Sequence, residues 1–398
     1  MKNKIFIAVH KVIDQGGISR SIQNLLNEIH EQYEVTICAV CNYISPNISL
    51  PDDVKIIPGS QMIGDAILNR NLLKTNFVGQ IRMIVTRWLR RNMGMSFIVN
   101  KGINRIKVPN EYYDVAIAFS GDRFDKNGVI CDGGDYDFIL QKVQAKRKIA
   151  WIHNDLRKEG LTHDVCLRVF KDFDAIVSVS YENKSLVDAI VPEYQNKSFV
   201  VYNTYNVKQI IDNSKAESSP FGDNGKLHFV TVARLSMAQK RQDRIVKACE
   251  RLKKEGLVNF DWYLVGDGEK EYFENMIAEK GVGDLVNLVG LKTNPYPYYL
   301  HADAFVLTSI FEGYGMTVKE AQILGCPTLV TNFGPASEAV KDGYEGRICD
   351  NSTEGVYEMM KHILQHPEEL ETYRSYLREH PVSNAIALQQ FKEVCGLS

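Results

Sequence analysis

The chain has 398 residues, of which 44% are hydrophobic and 24% are charged, and its formal net charge is -2. This length accommodates two domains with separate cores, and the near-neutral balance argues against general nucleic-acid binding. The eight cysteines show neither the spacing nor the paired histidines of a zinc site, so we expect free thiols and a cytoplasmic protein. No apolar run reaches the roughly 18 residues that would span a bilayer.

The first element is an apolar strand at residues 5–9, followed by Gly16 and Gly17 and then by an amphipathic helix. This order is typical of the start of a doubly wound sheet, in which ligands bind beyond the carboxyl ends of the strands. The turn does not have the GxGxxG spacing of a dinucleotide site. It either faces a ligand or is a tight turn without one.

Residues 66–110 contain no Asp or Glu. Their basic residues are Arg70, Lys74, Arg82, Arg87, Arg90, Arg91, Lys101, Arg105 and Lys107. Apolar residues at 81, 84, 85, 88 and 89 share one helical face, and the arginines flank or oppose it. This composition is typical of a helix on an anionic membrane, although a core-packed helix with a solvated basic face has the same spacing. We expect contact with a membrane or with lipid phosphates through Arg82, Arg87, Trp88, Arg90 and Arg91.

Residues 122–137 are polar and rich in glycine, so we expect a loop there. Asp135 and Asp137 match the DxD motif of metal-dependent glycosyltransferases by letter, but two acids at this spacing are common in loops, and we expect no metal. An apolar strand at 148–152 then ends at His153. A histidine at this position faces the ligand side of the sheet or caps the following loop.

A linker-like segment at 215–225 precedes an apolar strand at 227–232. Arg234 lies just past this strand, and Lys240 lies before a helix that begins near Gln242. Two cations in these positions can clamp a diphosphate, Arg through a fork of donors and Lys as a point charge. Gly290 and Leu291 follow a later strand.

A further pattern of strand, turn and helix begins with an apolar strand at 304–307 and ends at Pro327. It contains a glycine-punctuated turn with Glu312, and a short helix with Glu320 inside it. The amides of Gly315, Met316 and Thr317 would open this helix, where free N–H groups suit a phosphate. Glu312 could instead be a solvated loop acid and Glu320 a surface charge, but the order of strand, turn, acid and helix favours a functional site.

The Glu312 to Glu320 stretch resembles the E-x7-E signature of the retaining family-4 glycosyltransferases, which have the two-domain GT-B fold. Gly16 and Gly17, and the spacing from Arg234 to Lys240, are similar to that family as well. The resemblance implies an α/β protein with two facing doubly wound Rossmann-like domains. Residues 1–205 would bind the acceptor, residues 206–380 would bind the nucleotide sugar, and residues 381–398 would form a C-terminal helix that returns to the first domain.

The resemblance also implies roles for individual residues. Glu312 would bind donor-sugar hydroxyls, Glu320 would bind the ribose, and Arg234 and Lys240 would stabilise the leaving diphosphate. The catalytic set is Glu312, Arg234, Lys240 and His153. The donor-binding set is Gly16, Gly17, Asn203, Gly290, Leu291, Gly315, Met316, Thr317 and Glu320. Arg241 replaces the usual glycine of the family, which leaves open whether Lys240 or Arg241 is the more important cation.

The function implied by the resemblance is retaining transfer of a hexosyl or N-acetylhexosaminyl group from a nucleotide diphosphate sugar, taken as a UDP-sugar. The acceptor would be a glycan or a polyprenyl-diphosphate-linked sugar in the biosynthesis of a surface polysaccharide such as a capsule. We expect no cofactor and a peripheral location at the inner face of the cell membrane. The alternatives are a sugar-nucleotide epimerase of GT-B type and a non-catalytic glycan-binding or membrane-scaffold protein.

Overall fold

The structure is a computed structural model that describes residues 2–14, 16–69 and 76–397. Arg70 and Lys74 of the basic segment lie outside these residues. The chain divides into two compact units, of which unit 1 is Met1–Tyr205 with Asn384–Ser398 and unit 2 is Asn206–Ser383. The chain passes from unit 1 to unit 2 after Tyr205, so the linker-like segment 215–225 belongs to unit 2.

Strands in the described part of unit 1 are β1 (Lys4–Val9), β2 (Glu34–Ala39), β3 (Lys55–Ile57), β4 (Tyr113–Ala118), β5 (Arg123–Phe124), β6 (Ile130–Asp132), β7 (Ala145–Ile152), β8 (Ala175–Ser178) and β9 (Ser198–Val200). The strands β3-β2-β1-β4-β7-β8-β9 form a parallel sheet in this order, and β5 and β6 form an antiparallel pair. The central strands are buried on both faces, as the apolar runs predict.

Helices of the same part are α1 (Gly17–Ile29), α2 (Gln61–Ile67), α3 (Phe77–Met93), α4 (Met95–Arg105), α5 (Asp135–Lys142), α6 (His163–Val169) and α7 (Tyr181–Ile190). Between β3 and β4 the chain forms α2, α3 and α4 in succession, and these three helices pack on one another. The acid-free basic segment therefore belongs to a helical layer on unit 1.

Unit 2 contains the helices α8 (Val207–Ser214), α9 (Asp243–Lys254), α10 (Lys270–Lys280), α11 (Tyr296–His301), α12 (Met316–Ile323), α13 (Ala336–Ala339), α14 (Thr353–Gln365) and α15 (Glu368–Glu379). Its strands are β10 (Leu227–Val232), β11 (Phe260–Val265), β12 (Val286–Gly290), β13 (Ala304–Leu307), β14 (Thr328–Thr331) and β15 (Gly346–Cys349). They form a parallel sheet in the order β12-β11-β10-β13-β14-β15. After unit 2, α16 (Ala385–Cys395) belongs to unit 1, where Phe391 packs against Tyr33 and Trp151.

Each sheet has one point at which the strand order reverses. In unit 1, β2 and β3 follow β1 toward one edge of the sheet, whereas β4 lies on the other side of β1. In unit 2, β11 and β12 follow β10 toward one edge of the sheet, whereas β13 lies on the other side of β10. The connections on either side of such a switch point leave a crevice beyond the carboxyl ends of the strands, where ligands bind. The crevice of unit 2 is therefore flanked by the segments that follow Val232 and Leu307.

The expectation that residues 122–137 form a loop is wrong, because this region contains β5, β6 and the start of α5. Asp122 is buried, and its Oδ1 accepts hydrogen bonds from the amides of Gly134 (2.7 Å) and Asp135 (2.8 Å). A carboxylate that satisfies amides at a helix start acts as a cap, here from a distant position in the sequence. The polar composition reflects this cap rather than an exposed loop.

Candidate active site

The turn between β13 and α12 contains Glu312 and ends at Gly315. Gly315 has φ 84°, a left-handed conformation that suits glycine, and it directly precedes the first helical residue, Met316. Phe333 and Val318 are so close that a Cβ at Gly315 would lie 3.2 Å from each of them. The first amides of α12 lack intrahelical acceptors and can therefore bind an anion in the crevice.

The structure brings Lys240 and Glu312 together, although 72 residues separate them in the sequence. Lys240 Nζ donates to Glu312 Oε1 at 2.6 Å, and Ser309 Oγ donates to the same oxygen at 2.6 Å. The Lys240 and Glu312 side chains are only 16% and 10% exposed. Glu312 is therefore not a solvated loop acid but one half of a nearly buried ion pair at the switch point.

Backbone and side-chain contacts join the segment of Lys240 to the segment of Glu312. The Ile310 amide donates to the Gln239 carbonyl at 2.8 Å, and the Gln239 side chain donates to the Phe311 carbonyl at 3.3 Å. The Thr308 hydroxyl donates to the Lys240 carbonyl at 2.8 Å. Gln239 and Thr308 could not be identified from the sequence, because a polar residue beside a strand end has no distinctive local pattern.

Arg244 and Asn351 bind backbone carbonyls of the segment that contains Glu312. Arg244 is buried, and its Nη1 donates to the Thr308 carbonyl (3.1 Å) and to Asn351 Oδ1 (2.6 Å). Asn351 Nδ2 in turn donates to the carbonyls of Ile310 (3.0 Å) and Asn332 (2.8 Å). A buried arginine and an asparagine that bind carbonyls hold the turn rigid. Both residues were missed, since they act across long sequence separations.

Arg234 is the second cation of the predicted clamp, and it is exposed. Within the described ranges its guanidinium forms no hydrogen bond or ion pair. Its backbone is held by Gln242, which is fully buried and donates to the Arg234 carbonyl at 2.9 Å. Gln242 also accepts from the Ser236 amide at 3.0 Å. The arrangement gives a fixed backbone with a guanidinium available to an anion.

Glu320 is fully buried, and the Tyr299 hydroxyl donates to its Oε2 at 3.4 Å. It is therefore not a surface charge of α12. Gly290 ends β12 with φ 77°, and Leu291 beyond it is 51% exposed. Both lie at the same carboxyl edge as Arg234, two strands away in the sheet.

In unit 1, Gly16 and Gly17 form the start of α1. Gly16 has φ 125°, which favours glycine, whereas a Cβ on Gly17 would meet no described atom within 4 Å. Packing therefore does not require glycine at position 17, and the helix start is open. Asn203 is buried, and its Oδ1 accepts from the Ser21 hydroxyl of α1 at 2.6 Å.

His153 directly follows β7 and is only 8% exposed. Its ring packs against Phe119, with a centroid distance of 4.6 Å, and stacks on Trp151 at 6.3 Å. Burial lowers the pKa of His153 to about 4, so the imidazole is neutral at physiological pH. Nε2 has no hydrogen-bond partner in the described part of the chain, so it is available to a ligand.

Asp135 of the DxD-like triplet is fully buried at the start of α5. Burial raises the pKa of Asp122 to about 7 and that of Asp135 well above its usual range, and the charge of Asp122 raises the latter further. The described residues contain no group of three or more His, Cys, Asp or Glu that could hold a metal ion.

Three of the four arginines of α3 bind other parts of unit 1. Arg82 pairs with the fully buried Asp65 of α2. Arg87 donates to the Leu68 carbonyl (2.7 Å) and Arg90 to the Ala66 carbonyl (2.7 Å), both near the C-terminal end of α2. Arg91 is exposed, and Trp88 is 62% exposed. No helix in the described ranges has both the length and the apolar character needed to cross a bilayer.

A family model described as "Glycosyl transferases group 1" matches residues 212–380, which include Arg234, Lys240 and the Glu312 turn. The match lies within unit 2 and covers less than half of the chain. In sequence, the chain is 28% identical over 197 residues to an uncharacterized glycosyltransferase of Methanocaldococcus jannaschii, a match that covers 46% of this chain and 48% of that protein. It is 25% identical over 249 residues to the alpha-monoglucosyldiacylglycerol synthase of Acholeplasma laidlawii, covering 60% of each chain.

In structure, the chain is similar to the Anabaena HepE protein in complex with UDP and glucose. The TM-score is 0.64 at 14% sequence identity, and the match covers 98% of this chain and 99% of that one. This similarity confirms the expected fold class, an α/β protein with the two Rossmann-like domains of the GT-B fold. In sequence, the chain spans about half the length of the curated relatives it matches.

Unit 2 combines groups that can bind a phosphorylated ligand. An exposed guanidinium, a lysine and the start of α12, whose first amides have no acceptors within the helix, adjoin the same switch point. Each of these groups stabilises negative charge, and their positions are fixed by the contacts of Gln242, Thr308 and Asn351.

Proposed function

We propose that the protein transfers a sugar, with retention of anomeric configuration, from a UDP-sugar to a glycan or lipid-linked acceptor in polysaccharide biosynthesis. The observation that carries this proposal is the Lys240–Glu312 pair at the switch point of unit 2, within the residues that match the glycosyl transferases group 1 model. Support for the donor and acceptor classes comes from relatives. The similar HepE structure contains UDP and glucose, and the Acholeplasma relative is named for a glucosylated lipid.

In this proposal the leaving diphosphate is stabilised by Arg234, Lys240 and the first amides of α12. Glu312 orients donor-sugar hydroxyls, and its ion pair with Lys240 holds the cation in place before the donor arrives. Glu320 binds the ribose, with Gly290 and Leu291 beside the base. No carboxylate is given the role of a nucleophile.

Unit 1 also contains residues to which we assign roles in substrate binding. Gly16 and Gly17 leave the start of α1 open for a substrate, and Asn203 fixes the end of unit 1 to that helix. His153 contributes a neutral imidazole, which binds sugar hydroxyls without adding charge.

A panel of nucleotide sugars tests this function. Wild-type protein is incubated with each donor, with and without a lipid extract, and the released nucleoside diphosphate is measured. We expect release that depends on the extract and on one donor, and that is lost in Glu312→Gln. Lys254→Ala, which removes an exposed cation of α9, serves as the matched control. Conversion of the donor to an epimer would replace the proposed function with an epimerase.

We further propose that the protein works at the inner face of the cell membrane and contacts it through α3. Its outward face carries apolar side chains that are 47–74% exposed: Phe77, Val78, Ile81, Ile84, Val85 and Trp88. They recur at helical spacing, and no acidic residue lies between positions 66 and 110. An apolar stripe that is flanked by basic residues can insert into an anionic bilayer.

The contacts of the α3 arginines indicate which side chains of α3 would bind the membrane. Since Arg82, Arg87 and Arg90 are engaged with α2, apolar insertion rather than arginine attraction supplies most of the binding. Ile84→Ser/Trp88→Ser should therefore abolish sedimentation with phosphatidylglycerol vesicles, while Arg91→Glu should weaken it only at low salt. Wild-type protein that does not bind these vesicles, or that pairs with a second copy through α3, would remove the membrane proposal.

A further inference from the structure

Arg241 adopts a backbone conformation that is rare for its residue type. Its φ is 53°, in the left-handed region that favours glycine. Among the non-glycine residues that the structure describes, Asn42 is the other one with positive φ. Asparagine tolerates this region well, whereas arginine has no local feature that favours it. The surrounding contacts must therefore hold Arg241 there.

Those contacts act on both the backbone and the side chain. The amides of Lys240 and Arg241 donate to the Ser236 carbonyl at 3.0 and 2.8 Å, and the Thr308 hydroxyl lies within hydrogen-bond distance of the carbonyls of both residues. The guanidinium forms a fork with Asp243, with Nε–Oδ1 2.7 Å and Nη2–Oδ2 3.1 Å. Asp243 is fully buried, so it is a fixed anchor for this fork.

The left-handed turn sends two neighbouring cations in different directions. Lys240 reaches Glu312, while Arg241 reaches Asp243. The charge of Arg241 is therefore engaged within its own segment, and Lys240 is the cation that faces the Glu312 turn.

We infer that Arg241 is a positioning residue for donor binding: its fork with Asp243 holds the left-handed turn that places Lys240 beside Glu312. The inference rests on the proposed function, since it takes Lys240 as a ligand of the donor diphosphate. If the turn relaxes, only a fraction of molecules presents Lys240, and the apparent donor affinity falls by that fraction. A role in stability alone would lower the melting temperature without this loss of affinity.

Two substitutions at one position separate the fork from the backbone conformation. Arg241→Ala removes the fork and keeps the Cβ that disfavours positive φ, so the donor KM should rise roughly tenfold. Arg241→Gly also removes the fork but adopts positive φ readily, so its donor KM should be about fivefold lower than that of the alanine variant. Asp243→Asn should resemble Arg241→Ala, and kcat at saturating donor should change little in all three variants. Lys254→Ala is the matched control on α9.

Amide hydrogen exchange provides a readout that needs no substrate. The Lys240 and Arg241 amides should exchange faster in Arg241→Ala than in Arg241→Gly, and slowest in the wild type, because exchange follows opening of the turn. Equal exchange at these amides in all three proteins would overturn the inference. So would an unchanged donor KM in Arg241→Ala accompanied by a lower melting temperature. A wild type that binds no nucleotide sugar would reject the proposed function, and the exchange order would still decide whether the fork holds the turn.

Discussion

We expect the Lys240–Glu312 ion pair to contribute both to the stability of unit 2 and to activity. At 2.6 Å and an effective dielectric constant of about 20, two unit charges attract by about 6 kcal/mol before desolvation is counted. Removal of one partner from a nearly buried pair costs about 3 kcal/mol, because the other charge remains without compensation. We therefore expect Lys240→Met and Glu312→Gln each to destabilise unit 2 by about 2–3 kcal/mol.

The double variant Lys240→Met/Glu312→Gln should recover most of this stability, because neither charge is then left alone. Its activity should not recover. Each single variant and the double variant should turn over roughly 100-fold more slowly than the wild type, since the diphosphate has lost a cation or the sugar has lost its ligand.

The stability cycle is measured by urea unfolding, followed through hydrogen exchange of peptides from unit 2, because the two units need not unfold together. Turnover is measured as release of nucleoside diphosphate from the donor. The reasoning fails if the stability losses of the single variants simply add in the double variant. It also fails if Lys240→Met turns over like the wild type.

Four further predictions concern pH, metal and the α3 contacts. Because burial lowers the pKa of His153 to about 4, the stability of the wild type should decrease by about 3 kcal/mol as pH falls from about 6.5 to 4, and His153→Gln should lack this decrease in chemical denaturation. Burial raises the pKa of Asp122 to about 7 and also raises the pKa of Asp135, so the stability that each protonated carboxyl contributes is lost as pH rises through its folded-state pKa. Asp135→Asn should gain stability relative to the wild type as pH rises above the ordinary pKa of a carboxyl group, and a difference that stays constant with pH would contradict this. EDTA should leave transfer intact, and a loss restored by manganese would contradict the metal-free clamp. Arg87→Ala should lower the melting temperature by several degrees, since two backbone carbonyls lose a charged donor, while the exposed Arg91→Ala should match the wild type.

The sequence predicted the fold class because hydrophobic runs and glycine turns are local signals. The strand before His153 and the strand, turn and helix around Glu312 occur where the pattern places them. The pairing of Lys240 with Glu312 was not predicted from the sequence, since 72 residues separate the two side chains. Residues such as Asn351 and Gln239, which support the turn through carbonyls, carry no local signal at all.

Two features could not be predicted because they depend on tertiary contacts. The region 122–137 was expected to be a loop, but the buried Asp122 caps α5 and stabilises a helix start among glycines. The sequence left open whether the apolar face of α3 packs into the core, with a solvated basic face, or lies on a membrane. In the structure, carbonyl groups near the end of α2 bind Arg87 and Arg90 and leave the apolar stripe exposed.

Retaining transfer is tested by following a ¹³C-labelled sugar that is supplied as its α-configured UDP donor in the presence of EDTA and an acceptor extract. The extracted acceptor is analysed by mass spectrometry, and its new linkage by the anomeric signals in NMR. We predict a labelled acceptor with an α linkage in the wild type, and none in Glu312→Gln. A β linkage, or label recovered only as free sugar, would contradict retaining transfer by this domain.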